Sequence, residues 1–297
     1  MSCSVNVPNV ALLRSVASGP NFKITLEYDG TGYAGWQTQS RRPYPVFRPL
    51  RGGFASLRTR TTKTIQETVE KVLGKILQEE VRLIASGRTD AGVHAQAQVA
   101  NFKTHSPIRP DKLQAALNGL LPKDIAVTRV EKVSPDFHSR FDAKAKIYRY
   151  TILNRGYRSA FLRDKAYFYP YPLDIKLMQK EARILLGRHD FKSFCASGSS
   201  AKDTVRTIKR ISIKRSKLNI ETREPRPENR DPNLIIIEIE ADGFLYNMVR
   251  NIVGTLMEIG RGRLSKGGLK KIFAAGDRKL AGPTAPACGL CLLKVKY

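Results

Sequence analysis

Between Glu80 and Asp111 the chain carries one acidic residue, Asp90, in the run Gly87-Arg88-Thr89-Asp90-Ala91-Gly92-Val93-His94-Ala95-Gln96. A lone carboxylate is a poor metal site, because metal ions need several converging ligands. Buried beside a cation, it can act as a nucleophile or base. Exposed in a turn, it would instead bond its own backbone, as aspartates often do. Arg250 lies in an otherwise apolar helical run. A guanidinium there either finds an anion such as Asp90 or reaches solvent, because an unpaired buried charge is costly. Tyr148 shares one face of a strand with Tyr150 and Ile152. Its ring either stacks on a nucleobase or packs in the core. Tyr28, just before Asp29-Gly30, carries the same two readings, and Trp36, the single tryptophan, packs structurally or lines a cleft.

Other chemistries find less support. His94-Ala95-Gln96 lacks the H-x-E pattern of zinc deaminases, and Pro286-Ala287-Cys288 lacks their P-C-x-x-C spacing. No G-x-S-x-G, G-x-G-x-x-G, P-loop or H-E-x-x-H occurs. Of four cysteines, Cys288 and Cys291 form a lone C-x-x-C. A structural zinc site needs a second ligand pair, so Leu290, Leu292 and Val295 around it read as a strand.

Charge identifies the partner class. The chain has 297 residues, with 52 Lys+Arg against 26 Asp+Glu, a net charge of +26. Such an excess says nothing about fold but favours nucleic acid, whose phosphates release counterions to basic groups. An anionic membrane is the rival, yet no apolar run approaches transmembrane length. Residues 1–26 lack acidic residues and include several serines, which fits either a transit-peptide-like segment or a plain disordered terminus.

The elements that must position these residues follow from periodicity. Phe22, Ile24, Leu26 and Tyr28 alternate as a strand ending at the Asp29-Gly30-Thr31-Gly32 turn. Residues 40–64 hold seven basic residues, no acidic one and three prolines. They read as a basic loop, either touching RNA or simply solvated. Thr64-Ile65-Gln66-Glu67 is a capping box opening a helix through Leu77. Strands are expected near 81–86, 97–103 and 125–133, with a helix over 113–121 between the last two. After a linker at Phe137–Asp142, strands are expected at 147–152, 205–215 and 234–241. Helices are expected at 174–186, at 248–259 and from Ser265, as its cap, to Gly276; 217–233 reads as a loop and the last nine residues as a strand. This irregular alternation predicts an α+β fold with helices on one side of sheet.

Several stretches, in order, resemble the TruA-type tRNA pseudouridine synthases. They are Tyr28–Gln37, Gly87–Ala95, Phe137–Tyr150, Asp190–Phe194, Gly243–Gly254 and Pro286–Tyr297. The resemblance covers about residues 22–297. It implies two α/β domains, 22–139 and 140–297, after an N-terminal extension at 1–21. Each would be a mixed, largely antiparallel sheet with helices on one side, the two facing across a basic RNA-binding cleft. It implies a homodimer that isomerises uridine to pseudouridine in the tRNA anticodon stem-loop, at tRNA positions 38 to 40. No cofactor, metal or membrane is implied, and the compartment would be cytoplasmic or organellar. By matching position, Asp90 is the catalytic carboxylate, Arg250 its partner and Tyr148 the stacking ring. Arg88 would hold the flipped nucleotide, with Tyr28, Gln37 and Leu245 as further substrate contacts. The basic segment 40–64 and the 217–233 loop exceed the family pattern.

Overall fold

The computed structural model describes residues 19–37, 63–199, 201, 203–217 and 233–297. The extension through residue 18, nearly all of the basic segment 40–64 and the interior of the 217–233 loop lie outside the described residues. No described helix is long and apolar enough to cross a membrane.

Strand β1 (Asn21–Tyr28) buries Phe22, Ile24, Leu26 and Tyr28 on one face, as their alternation requires. Helix α1 (Ile65–Leu77) starts where Thr64 accepts the Glu67 N–H at 3.2 Å, which realises half of the capping box. There follow β2 (Ile84–Ala85), β3 (His94–Lys103), α2 (Pro110–Leu120) and β4 (Ile125–Val133). The second half runs β5 (Ala145–Leu153), β6 (Tyr167–Phe168), α3 (Ile175–Ala182), β7 (Gly187–Asp190), β8 (Val205–Lys217) and β9 (Asn233–Ala241). It closes with α4 (Met248–Gly260), α5 (Gly268–Ala275) and β10 (Leu290–Lys296).

The mixed, mostly antiparallel α+β architecture agrees with expectation, but the strands form one sheet rather than one per half. Its order is β4-β1-β3-β10-β5-β9-β8-β7, with β2 on β3 and β6 on β5. The joint is the C-terminal strand: β10 pairs parallel with β3 (Cys291 opposite His94) and antiparallel with β5 (Leu292 opposite Tyr148). Backbone groups that would otherwise be two open sheet edges are thereby paired. One apolar cluster continues across that joint, from Phe22 to Val295.

Smaller differences have local causes. The strand expected at 81–86 shrinks to Ile84–Ala85, because the Leu83 N–H goes to Glu70 Oε1 at 2.8 Å instead of to a neighbouring strand. β3 starts three residues early, where β10 offers it a partner. Pro110 opens α2, since the first turn does not need its missing N–H. The helix expected at 174–186 ends at Ala182 and continues as a 3-10 turn. Ser265 does not cap α5: that position is Gly267, in the left-handed region at φ 76°, with its N–H on Glu181 Oε1 at 3.0 Å.

Candidate active site

Asp90 stands in the loop between β2 and β3, and the segment after β1 forms a main-chain mould around it. The Asp90 carbonyl accepts the Val93 N–H at 3.1 Å, across a turn with Gly92 at φ 77°. Trp36 N–H donates to the Thr89 carbonyl at 3.0 Å, and Gly92 N–H to that of Tyr33 at 3.3 Å. Contact is close enough to exclude side chains. A Cβ on Gly35, which sits at φ 101°, would lie 2.6 Å from the Thr89 carbonyl oxygen. One on Gly30 would lie 2.0 Å from that of Val93. The His94 ring joins the same mould, Nδ1 accepting the Gly30 N–H at 3.1 Å. Burial and the nearby Lys165 hold His94 below its usual pKa, so that nitrogen remains an acceptor. Tyr28 is buried, its hydroxyl 2.8 Å from Thr89 Oγ1 and its ring packed near Trp36.

The cation comes from the other half of the chain. Arg250, in the first turn of α4, places one terminal guanidinium nitrogen 3.4 Å from Asp90 Oδ2. Its shorter bonds go elsewhere: Nε donates to the Ala285 carbonyl at 2.7 Å, and the same terminal nitrogen to Asn247 Oδ1 at 2.9 Å. Asn247 opens α4 in the left-handed region at φ 58°, a conformation that asparagine tolerates. Ala285 is fixed in turn, its N–H donating to the Arg250 carbonyl at 3.1 Å. Arg278 and Thr284 both donate to Asn251 Oδ1, at 2.9 and 2.6 Å, which ties that loop to α4. Gly254 lets the loop approach, since a Cβ there would stand 1.7 Å from the Pro283 carbonyl oxygen.

This arrangement leaves Asp90 half-buried with an incomplete pairing. Burial pushes its carboxyl above the usual carboxylate range, and the charge and hydrogen bond of Arg250 only partly oppose that. Tyr148, on β5, is buried, and Phe244 meets its ring edge-on with centroids 5.1 Å apart. Burial, then the proximity of Tyr28 and Asp90, raise the Tyr148 hydroxyl well beyond its ordinary value, so the ring stays a neutral phenol. Leu245 is buried at the approach to α4. Arg88 is exposed, and Gln37 is half-buried one residue beyond Trp36. Among the described residues the hydrogen bond to the Asp90 carboxylate comes from Arg250, not from Arg88 or Gln37.

Sequence reasoning did not single out Asn247, Phe244 or the Ala285 carbonyl. Asn247 and Phe244 lie inside the Gly243–Gly254 motif, which was the available signal; a main-chain carbonyl leaves none. Cys288 lies in a 3-10 turn and Cys291 in β10; burial raises both thiols, Cys291 to about 11. Among the described residues no group of three or more His, Cys, Asp or Glu is placed to hold a metal ion.

Known proteins share this chain's sequence over nearly its whole length. A family model described as tRNA pseudouridine synthase matches residues 51–142 and 182–297. The tRNA pseudouridine synthase A of Clostridium acetobutylicum is 43% identical over 277 residues, covering 93% of this chain and 99% of that protein. The same coverage holds for that of Acetivibrio thermocellus, at 43%, and for tRNA pseudouridine synthase A 2 of Clostridium perfringens, at 44%.

Proposed function

The chain belongs to the tRNA pseudouridine synthase family, and from that premise we propose that it isomerises uridine to pseudouridine in the anticodon stem-loop of tRNA, at positions 38 to 40. The observation that carries the reading is Asp90 itself: a half-buried carboxylate, 3.4 Å from a guanidinium and close to the buried Tyr148 ring.

The reaction needs these groups. The N1–C1′ bond breaks with its electron pair leaving on uracil, so positive charge develops at C1′. An ionised Asp90 against that sugar stabilises the charge, through space or by a transient bond. The uracil turns in place, C5 bonds to C1′, the C5 proton leaves and N1 takes a proton; no atom is gained or lost. Turning the free base requires a closed pocket and a flat partner. Tyr148 supplies that partner as a ring, and the C5 proton leaves to a base, Tyr148 or a water. Arg250, anchored by Asn247 and Ala285, aligns the carboxylate. Arg88, exposed beside Asp90, holds the displaced nucleotide, with Tyr28, Gln37 and Leu245 shaping the pocket. Flipping costs a few kcal/mol, offset by stacking and phosphate contacts.

On this reading the partner is tRNA and the working form a homodimer, with units at 22–139 and 140–297 flanking a basic cleft. No cofactor or metal takes part, and the compartment is wherever the tRNA resides, cytoplasm or organelle. The test is tritium release from tRNA labelled at uridine C5. The unaltered protein is expected to release tritium and Asp90→Ala none. Failure of the unaltered protein across a panel of tRNAs from several sources would overturn the reading.

A further inference from the structure

Near the loop that carries Asp90, Lys146 lies within reach of the charges of two arginines, Arg140 and Arg206. Lys146 lies on β5 two residues before Tyr148, and therefore on the same face of the strand. Its Nζ donates to the Ser86 carbonyl at 2.6 Å, and a Cβ on Gly87 would stand 2.8 Å from that nitrogen. The ammonium thus presses on the main chain of the loop leading to Asp90. Burial, and after it the charges of Arg140 and Arg206, lower its pKa to about 8. Arg206 reaches past Gly243, its Nε 3.4 Å from where a Cβ would be, and the next residue is Phe244, which meets Tyr148.

Several other cations have acids. Lys165 pairs with Asp29 at 2.6 Å, Arg149 with Glu238 at 2.7 Å and Lys296 with Glu240 at 2.6 Å. Among the described residues Lys146, Arg140 and Arg206 form no ion pair; Lys146 and Arg206 donate to carbonyls instead. Gathering like charges without a counter-ion costs free energy in the unbound protein. An incoming anion recovers that cost.

We propose that Lys146, Arg140 and Arg206 form an anion subsite that grips one backbone phosphate of the RNA, next to the flipped target nucleotide. This rests on the RNA-modifying function proposed above. Such a contact carries no sequence information; it fixes register, so that the base enters over Tyr148 and the sugar meets Asp90. One phosphate held by a cluster also contributes to the work of flipping.

The test uses the full chain and a set of anticodon stem-loop RNAs, each with one phosphate replaced by an uncharged methylphosphonate. One replacement flanking the target uridine is expected to weaken binding to the unaltered protein by about tenfold or more. Lys146→Met should weaken binding to the unmodified RNA to a similar extent. In that variant the critical replacement should no longer matter, and the salt slope of binding should fall by about 0.7–0.9. Lys146→Arg should restore most of the affinity. Arg206→Gln provides the same readout should Lys146→Met fold poorly. Unchanged affinity and salt slope in both variants would overturn the proposal. A uniform loss that leaves every single-phosphate effect intact would do so too, as would occupation by inorganic phosphate that RNA cannot displace. Binding is read without turnover, so absent tritium release would sink the proposed reaction while leaving this subsite standing.

Discussion

Asp29 and Asp90 are both turn aspartates beside a cation, yet the fold gives them opposite electrostatics. Asp29, after β1, has Lys165 Nζ at 2.6 Å and accepts from both the N–H and the hydroxyl of Thr31, at 3.0 and 2.6 Å. Burial raises its pKa, but those partners outweigh it and hold the carboxyl at about 2. Among the described residues the Asp90 carboxylate has one polar side-chain partner, at 3.4 Å, a guanidinium whose shorter bonds lie elsewhere, and burial prevails. A cavity of about 370 Å³ is lined by Asp29, His94, Lys165 and Arg149 rather than by Asp90. A hollow beside a satisfied ion pair is no reactive site; an under-paired carboxylate beside a buried ring is a better candidate. Satisfaction of the charge separates a structural aspartate from a reactive one.

The largest effect that tests this contrast is on turnover. Asp90→Asn should lower tritium release by at least about a thousandfold, the scale of losing a group that stabilises transition-state charge. Its tRNA affinity should stay within about threefold, measured by filter binding. Asp29→Asn should leave turnover within about tenfold; a loss matching that of Asp90→Asn would erase the distinction between the two turns.

Next comes the mould that joins the turns. Gly35→Ala puts a side chain at φ 101° and 2.6 Å from the Thr89 carbonyl oxygen. It should destabilise by about 2–3 kcal/mol in urea unfolding, the scale of forced backbone strain. A neutral result would mean that the Asp90 turn is not set by the segment after β1.

The ring comes third. Tyr148→Leu should weaken substrate binding or turnover by about 1–3 kcal/mol, the range for a lost stacking partner. Tyr148→Phe should retain most activity. A collapse of Tyr148→Phe would give the hydroxyl a chemical role that its raised pKa argues against.

The smallest effect is on stability against pH, where the two carboxylates should have opposite signs. Asp29 has a folded-state pKa below the unfolded value of about 3.9. Its contribution is present above pH ~4 and is lost as pH falls towards 2. Asp29→Asn should therefore cost about 1 kcal/mol near neutral pH, once solvent screening of this partly exposed pair is allowed for. Asp90 has a raised folded-state pKa, so its contribution is full below pH ~4 and lost as pH rises through the folded value. Asp90→Asn should match the unaltered protein in acid and melt at a higher temperature near neutral pH. Calorimetry of both variants across pH checks the two signs, and equal signs would break the comparison.

Much of this was legible beforehand. The alternation of Phe22, Ile24, Leu26 and Tyr28, the capping box at Thr64 and the apolar face of Met248–Ile259 each fixed an element, because periods of two and of 3.6 residues report directly which face is buried. The isolation of Asp90 among basic residues was equally plain. Arg250 in an apolar run demanded an anion or solvent, and Asp90 lies 160 positions away in the chain. Ser265 as a cap failed because Gly267 can take the left-handed position that the turn before α5 needs. The strand at 81–86 shortened because a side chain, Glu70 Oε1, took the Leu83 N–H.

What the amino-acid order determined by itself was most of the elements (not the short strands β6 and β7), the basic character of the chain, the family and the residues able to do chemistry, all properties of local pattern and composition. Only the tertiary structure decided that both halves share one sheet, because β10 finds its hydrogen-bond partners on strands from either half. It also decided which aspartate is satisfied and which is left under-paired. That depends on distances to Lys165, Thr31 and Arg250 and on the degree of burial, and a carboxylate's energy follows its surroundings in space, whatever its neighbours in the chain.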